Sequence, residues 1–250
     1  MGTYWTLTRR ELGAYFFSLT GYVVIAAAVF LMGFSFVDML EKLHGEHTTR
    51  PVTELFFATP FFWWILLLTA PVITMRLFAL EKFSGTYEML MTAPVRELQV
   101  VLAKFSAALV FYTVMWLPLL GCLLVLRHYT SDRSALDYGT LATTFLGILL
   151  LGSVFLAIGC CASALTRSQV GAAMMGLAGG TSLFLLAFLA DKKATHGTWK
   201  VQVLSCFALF DQLYNYVTGT IDTRDVVLLL SLTVFFLFLN LRILESRRWK

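Results

Sequence analysis

Charge is scarce in this 250-residue chain: 14% of its residues are Asp, Glu, Lys or Arg, while 58% are hydrophobic. A soluble domain carries about a quarter charged residues, so this balance excludes one. Four cysteines are too few and too scattered for a disulfide framework, because Cys122, Cys160 and Cys161 fall in or beside apolar runs and Cys206 stands apart. Cys160-Cys161 with Met174-Met175 offer the soft sulfur ligands that select Cu(I). Packing is the simpler account of them, since free Cys and Met are ordinary apolar core residues, and no metal site is expected.

Motifs that build active sites are missing too. There is no Gly-x-x-x-x-Gly-Lys-Ser/Thr phosphate loop, no His-Glu-x-x-His pair and no Gly-x-Ser-x-Gly elbow. The chain is therefore expected to be no enzyme and to hold no cofactor of its own, and nothing marks nucleic acid as a partner. No charged residue or histidine lies in the middle of an apolar run, whereas ion-coupled carriers and proton relays need such groups. A transporter without an ion relay or an ATP site has to be driven by something that docks to it.

What is present is a set of six apolar runs: Leu19 to Val37, Phe56 to Met75, Phe105 to Leu126, Tyr138 to Leu165, Val170 to Ala190 and Val226 to Leu241. Each is about the length a helix needs to cross roughly 30 Å of hydrocarbon. The fold class is an all-α integral membrane protein of six spans, a single transmembrane domain over residues 1–250. Cations set the orientation. With the amino terminus inside, the inner segments hold eleven cations against five acids and the outer ones eight against ten, so both termini are expected in the cytoplasm. Residues 1–18 read as an amphipathic interfacial helix, with Trp5, Leu12 and Phe16 at helical spacing beside Arg9 and Arg10.

Residues 76–104 interrupt the pattern on the inner side. Leu77, Leu80, Ser84, Tyr87 and Met91 recur every three or four residues, which predicts a helix with one apolar face and with Glu81, Lys82 and Glu88 turned to water or a partner. Gly85 marks a bend or a close approach, and Pro94 ends the helix before Val95-Arg96-Glu97 opens the next. On the outer side, residues 191–225 carry Val201, Leu204, Ala208, Leu209, Leu213 and Tyr216 at helical spacing, suggesting short helices. Gly219 is a natural stop there, with Asp222 as cap of the last span and Asp225 in its first turn. Ala172, Gly176 and Gly180 form a small-residue stripe on the fifth span that permits close packing, within the chain or against a second copy. Phe57, Phe61, Phe62, Trp63 and Trp64 suit an apolar cargo, but membrane anchoring is the better reading.

Glu81-x-x-x-Gly85-Thr86-x-Glu88-x-Leu90-x-x-x-Pro94 resembles the cytoplasmic signature of ABC-2-type transporter permeases, the membrane subunits of ATP-driven exporters. Gly159 to Gln169, with Phe210-Asp211, Gly219, Asp222, Asp225 and the tail Leu244 to Trp249, is similar to the branch that includes gliding-motility permeases and the permease for nitrous oxide reductase maturation. The resemblance implies a multi-pass protein of the bacterial inner membrane, working as a homodimer with a cytoplasmic ATPase subunit that binds the ATP. It places the ATPase contact on Glu81, Gly85, Thr86, Glu88 and Pro94, with the Thr166-Arg167-Ser168-Gln169 turn, through Arg167 and Gln169, as a second contact. A periplasmic accessory protein is a further candidate partner. The alternative is a non-transporting membrane scaffold whose cytoplasmic helix recruits a partner.

Overall fold

The computed structural model describes residues 2–45, 56–57, 59–87, 95–129, 138–193 and 209–248. Among them there is no strand, and nine helices of six residues or more follow one another: α1 (Thr3–Phe16), α2 (Leu19–Gly45), α3 (Pro60–Thr74), α4 (Ala79–Ser84), α5 (Glu97–Tyr129), α6 (Tyr138–Leu165), α7 (Gln169–Lys193), α8 (Leu209–Val217) and α9 (Thr223–Arg248). Among the described residues, six stretches are long and apolar enough to cross a membrane: Leu19–Glu41, Pro60–Ser84, Glu97–Val125, Tyr138–Leu165, Gln169–Phe188 and Thr223–Ser246. They match the six apolar runs in order. The third begins earlier than its apolar run and takes Lys104 inside the helix, because backbone hydrogen bonding continues past the point where side chains stop being apolar.

The fourth span is the centre of the molecule. Of its apolar window 83% is buried, against 22%, 28% and 17% for the first, fifth and sixth, and α6 packs against α9, α7, α3, α8 and α5. Glycine lets neighbours come that close. A methyl group added at Gly159 would lie 2.9 Å from Thr74 Cβ and closer still to its hydroxyl oxygen, and one at Gly152 would fall on the Tyr112 ring. The stripe on α7 meets the same core from the other side: Ala172 is buried, Gly176 faces Gly159 and Pro71, and Gly180 faces Phe155 and Leu67.

Hydroxyls inside the spans are satisfied locally, as a medium without water requires. Thr69, Thr74, Thr113, Thr144 and Thr233 each donate to the carbonyl four residues back at 2.6–2.9 Å. Two contacts also bridge neighbouring elements: Ser35 of α2 with Thr59 just before α3 (2.6 Å), and Ser153 of α6 with Thr233 of α9 (2.9 Å).

One end of the bundle carries α1 and α4, the other α8. The helix α1 lies along α5, with Tyr4 Oη donating to Ser106 Oγ at 2.9 Å and the Tyr15 ring stacked on Phe111. Its inward face keeps Phe16 of the expected stripe, packed on the Phe111 ring, but buries Thr8 and leaves Trp5 exposed. At the α8 end, Gly219 takes a φ of 85°, Asp222 Oδ1 accepts the Arg224 N–H at 2.9 Å, and Asp225 accepts from Asn215 at 3.0 Å. The stop and the cap are therefore as read. The other predicted outer positions, Val201, Leu204 and Ala208, lie outside the described residues.

Candidate functional site

Four charged side chains meet where α1, α4 and α5 converge. Lys104, 3% exposed, sends its ammonium to Glu11 Oε1 at 3.1 Å and to Glu81 Oε1 at 2.8 Å, and lies over the Phe78 ring with 5.4 Å to its centroid. Arg10 closes the ring by bonding the same two oxygens, Glu11 Oε1 at 2.8 Å and Glu81 Oε1 at 3.1 Å. The hydrogen bond that Arg10 donates to Glu11, helped by the charges of both acids, raises the Arg10 pKa further above its already high ordinary value. Two cations against two carboxylates leave the ring neutral, which is what allows a lysine to sit nearly dry. Glu81 Oε2 is buried with no hydrogen-bond partner among the described residues.

This arrangement corrects the expected helical face. Glu81 does not stand toward water but turns inward at 15% exposure, and Lys82 also folds back to donate to the Ala164 carbonyl. The physical reason is Lys104, whose burial calls for countercharge on every element packed around it. Ser163 Oγ of α6 completes the anchorage by accepting the Phe78 and Ala79 amides at 3.0 and 3.1 Å, donors that the start of α4 would otherwise leave open.

Gly85 ends α4 in the left-handed region, with φ 75° and nothing within 4 Å of an added Cβ. The bend is therefore conformational and no neighbour presses on it. Gly85→Ala should cost about 1–2 kcal/mol, and Gly85→Asn less, in unfolding of the detergent-purified protein, because only the backbone term changes. Thr86 follows with its hydroxyl 2.8 Å from Ser84 Oγ, exposed to solvent. Glu88 and Pro94 lie outside the described residues. Arg167 sits in the short turn between α6 and α7 and Gln169 opens α7, so the structure does not bring this turn into the charged ring.

Beside the ring opens a cleft of about 170 Å³, lined by Ala14, Tyr15, Arg76, Leu77 and Leu80 as well as the charged residues. Tyr15 donates to the Ile73 carbonyl at 2.9 Å, and desolvation pushes its phenol well above the ordinary range, so it stays a donor. Charge patterning along the chain marks Arg10 as a cation of the interfacial helix and Arg76 and Lys104 as inner-side cations, with nothing to bring them together. The one local signal of more is Lys104 itself, a single cation between Val100, Val101, Leu102, Ala103 and Phe105.

At the α8 end a second cleft, about 340 Å³, is lined by Phe57, Pro60, Trp63, Phe210, Leu213, Tyr214 and Val217. Phe62 and Trp63 are core residues, Trp63 packing on Phe210 at 4.6 Å and Phe184 at 5.2 Å, so of the aromatic run Trp64 is the one left exposed as an anchor.

No curated protein matches the chain. A family model described as ABC-2 family transporter protein matches residues 25–247. That match begins within the first span and takes in the other five, the α4 segment and most of the tail, and the chain belongs to the ABC-2 family of transporter proteins, as a membrane component of such a transporter.

Proposed function

We propose that two copies of this chain enclose a translocation pathway and that a separate cytoplasmic ATPase subunit drives them. The ATPase grips the segment from Glu81 to Pro94, with Gly85, Thr86 and Glu88 at its centre, and the Thr166–Gln169 turn gives a second contact through Arg167 and Gln169. Both termini lie in the cytoplasm of a bacterial cell, ATP stays on the partner, and the cargo moves outward. The similarity of the Gly159 to Gln169 stretch and of the tail supports a place in the gliding-motility and nitrous-oxide-reductase-maturation branch, where a periplasmic accessory protein would receive or supply the cargo.

The observation that carries this reading is the anchorage of α4. Its Glu81 is ion-paired to α1 and α5, and its first amides are held by α6. A push on the exposed Ser84–Thr86 turn therefore reaches three helices without a flexible step between. Coupling of this kind biases an equilibrium between two packings of rigid helices.

Reconstitution with the ATPase subunit tests it. A cysteine at Thr86 should crosslink to the ATPase, and Gly85→Trp or Glu88→Arg should lower ATP hydrolysis by the complex about tenfold, the equivalent of roughly 1.4 kcal/mol of lost contact. Crosslinks from position 86 that report only the periplasm, or cargo movement by the chain alone, would end the proposal.

A further inference from the structure

The charge balance beside the ring is uneven. Arg10 and Lys104 are matched by Glu11 and Glu81, but the cleft also holds Arg76, which forms no ion pair among the described residues. Its Nη1 donates to the hydroxyls of Ser18, at 2.7 Å, and Thr20. A guanidinium has five N–H donors, so the Nε and Nη2 edge, the fork that fits two oxygens of one phosphate, has no partner among the described residues. The space is adequate: about 170 Å³ is more than ten times the roughly 10–15 Å³ a single water requires.

Two features select among anions. The five charged side chains lining the cleft sum to one positive charge, which suits a phosphodiester with its single negative charge and disfavours inorganic phosphate, whose second charge would face Glu11 and Glu81. Arg76 also holds the joint between α1 and α2, and the residues there are lipid-like in character. Phe17 is 91% exposed and Leu19 81%, and Tyr22 and Val23 continue the exposed apolar surface up the first turns of α2. A ligand with its phosphate on Arg76 has an apolar wall beside it for acyl chains.

We propose that this cleft is a phospholipid site, in which the Nε and Nη2 edge of Arg76 clamps the phosphodiester of the headgroup and the acyl chains run along the exposed face of α2. The assignment does not depend on the ATPase reading, because it follows from an unmatched cation at a lipid-facing joint. A bound lipid here would sit against Tyr15 and Leu80, between α1 and α4.

Native mass spectrometry of the full chain in detergent, titrated with phosphatidylglycerol, reads the affinity for the first lipid bound. Arg76→Gln should weaken it about tenfold, as loss of a charge-assisted bidentate contact does. Ala14→Trp fills the exposed wall of the cleft without removing a charge and should weaken it by a similar factor, which covers the case in which Arg76→Gln loosens the α1–α2 joint. Arg9→Gln, exposed on α1 outside the cleft, should change nothing. Inorganic phosphate and the soluble diester dimethyl phosphate, at millimolar concentration, should fail to displace the lipid. Unchanged lipid affinity in both Arg76→Gln and Ala14→Trp overturns the site, and displacement by either soluble anion overturns its assignment to a lipid.

Discussion

Replacing Lys104 by methionine is expected to destabilise the protein by about 3–5 kcal/mol, read from denaturant-induced unfolding in detergent. Methionine matches the volume and flexibility of the lysine stem, so packing is largely kept and the loss is electrostatic. What remains is two carboxylates, Glu11 at 13% and Glu81 at 15% exposure, that share Arg10 alone, and Arg10 is 56% exposed. A half-solvated arginine cannot neutralise two acids. Adding Glu11→Gln and Glu81→Gln to Lys104→Met should recover most of the loss, because an uncharged trio has no ion left to desolvate. Arg96→Met, at an exposed position just before α5, should stay within about 0.5 kcal/mol of the parent. A Lys104→Met variant as stable as the parent would mean that this lysine is not held dry between α1 and α4.

Gly159→Val should cost about 3 kcal/mol, the upper end for overpacking a well-filled core. The site lies on the most buried span, and its neighbour is Thr74 of α3, whose Cβ would be 2.9 Å from an added methyl group and whose hydroxyl oxygen would be nearer. Thr74 cannot swing away freely, since its hydroxyl bonds the Ala70 carbonyl at 2.8 Å. Thr74→Ala in the Gly159→Val background should return part of the stability, the nearest atom being gone but the Cβ remaining, and the two changes should be strongly non-additive. Gly176→Ala makes the contrast. Its added Cβ would meet Gly159 Cα and Pro71 Cβ at 3.5 Å, an ordinary contact, and alanine gains up to about 1 kcal/mol in helix propensity, so the variant should be neutral or slightly stabilised. Equal losses at 159 and 176 would contradict the close approach of α3 to α6.

The stripe Ala172, Gly176, Gly180 shows how far a pattern of small residues reaches. Its spacing announces that something comes close to α7, and leaves open whether that is a helix of the same chain or of another copy. In the fold the stripe faces Gly159, Pro71, Phe155 and Leu67, all within one subunit. The α2 and α9 spans, in contrast, keep most of their surface uncovered. Glu81 shows the same limit from the polar side. Periodicity put it on the wet face of a helix, and it turned inward because its partner, Lys104, lies 23 residues further along the chain, while the third member, Glu11, lies 93 residues before that lysine.

Hydropathy is a local property, summed over about twenty residues against a hydrocarbon layer of nearly constant thickness. Membrane class, helical content, six spans, the Gly219 stop and the Asp222 cap were accordingly all readable from short windows of residues. The inward turn of Glu81, the central place of α6, the unmatched Arg76 and the meeting of Gly159 with Thr74 belong to the packed molecule alone. Each depends on groups that are distant along the chain, and their desolvation and steric energies exist only once the helices have come together.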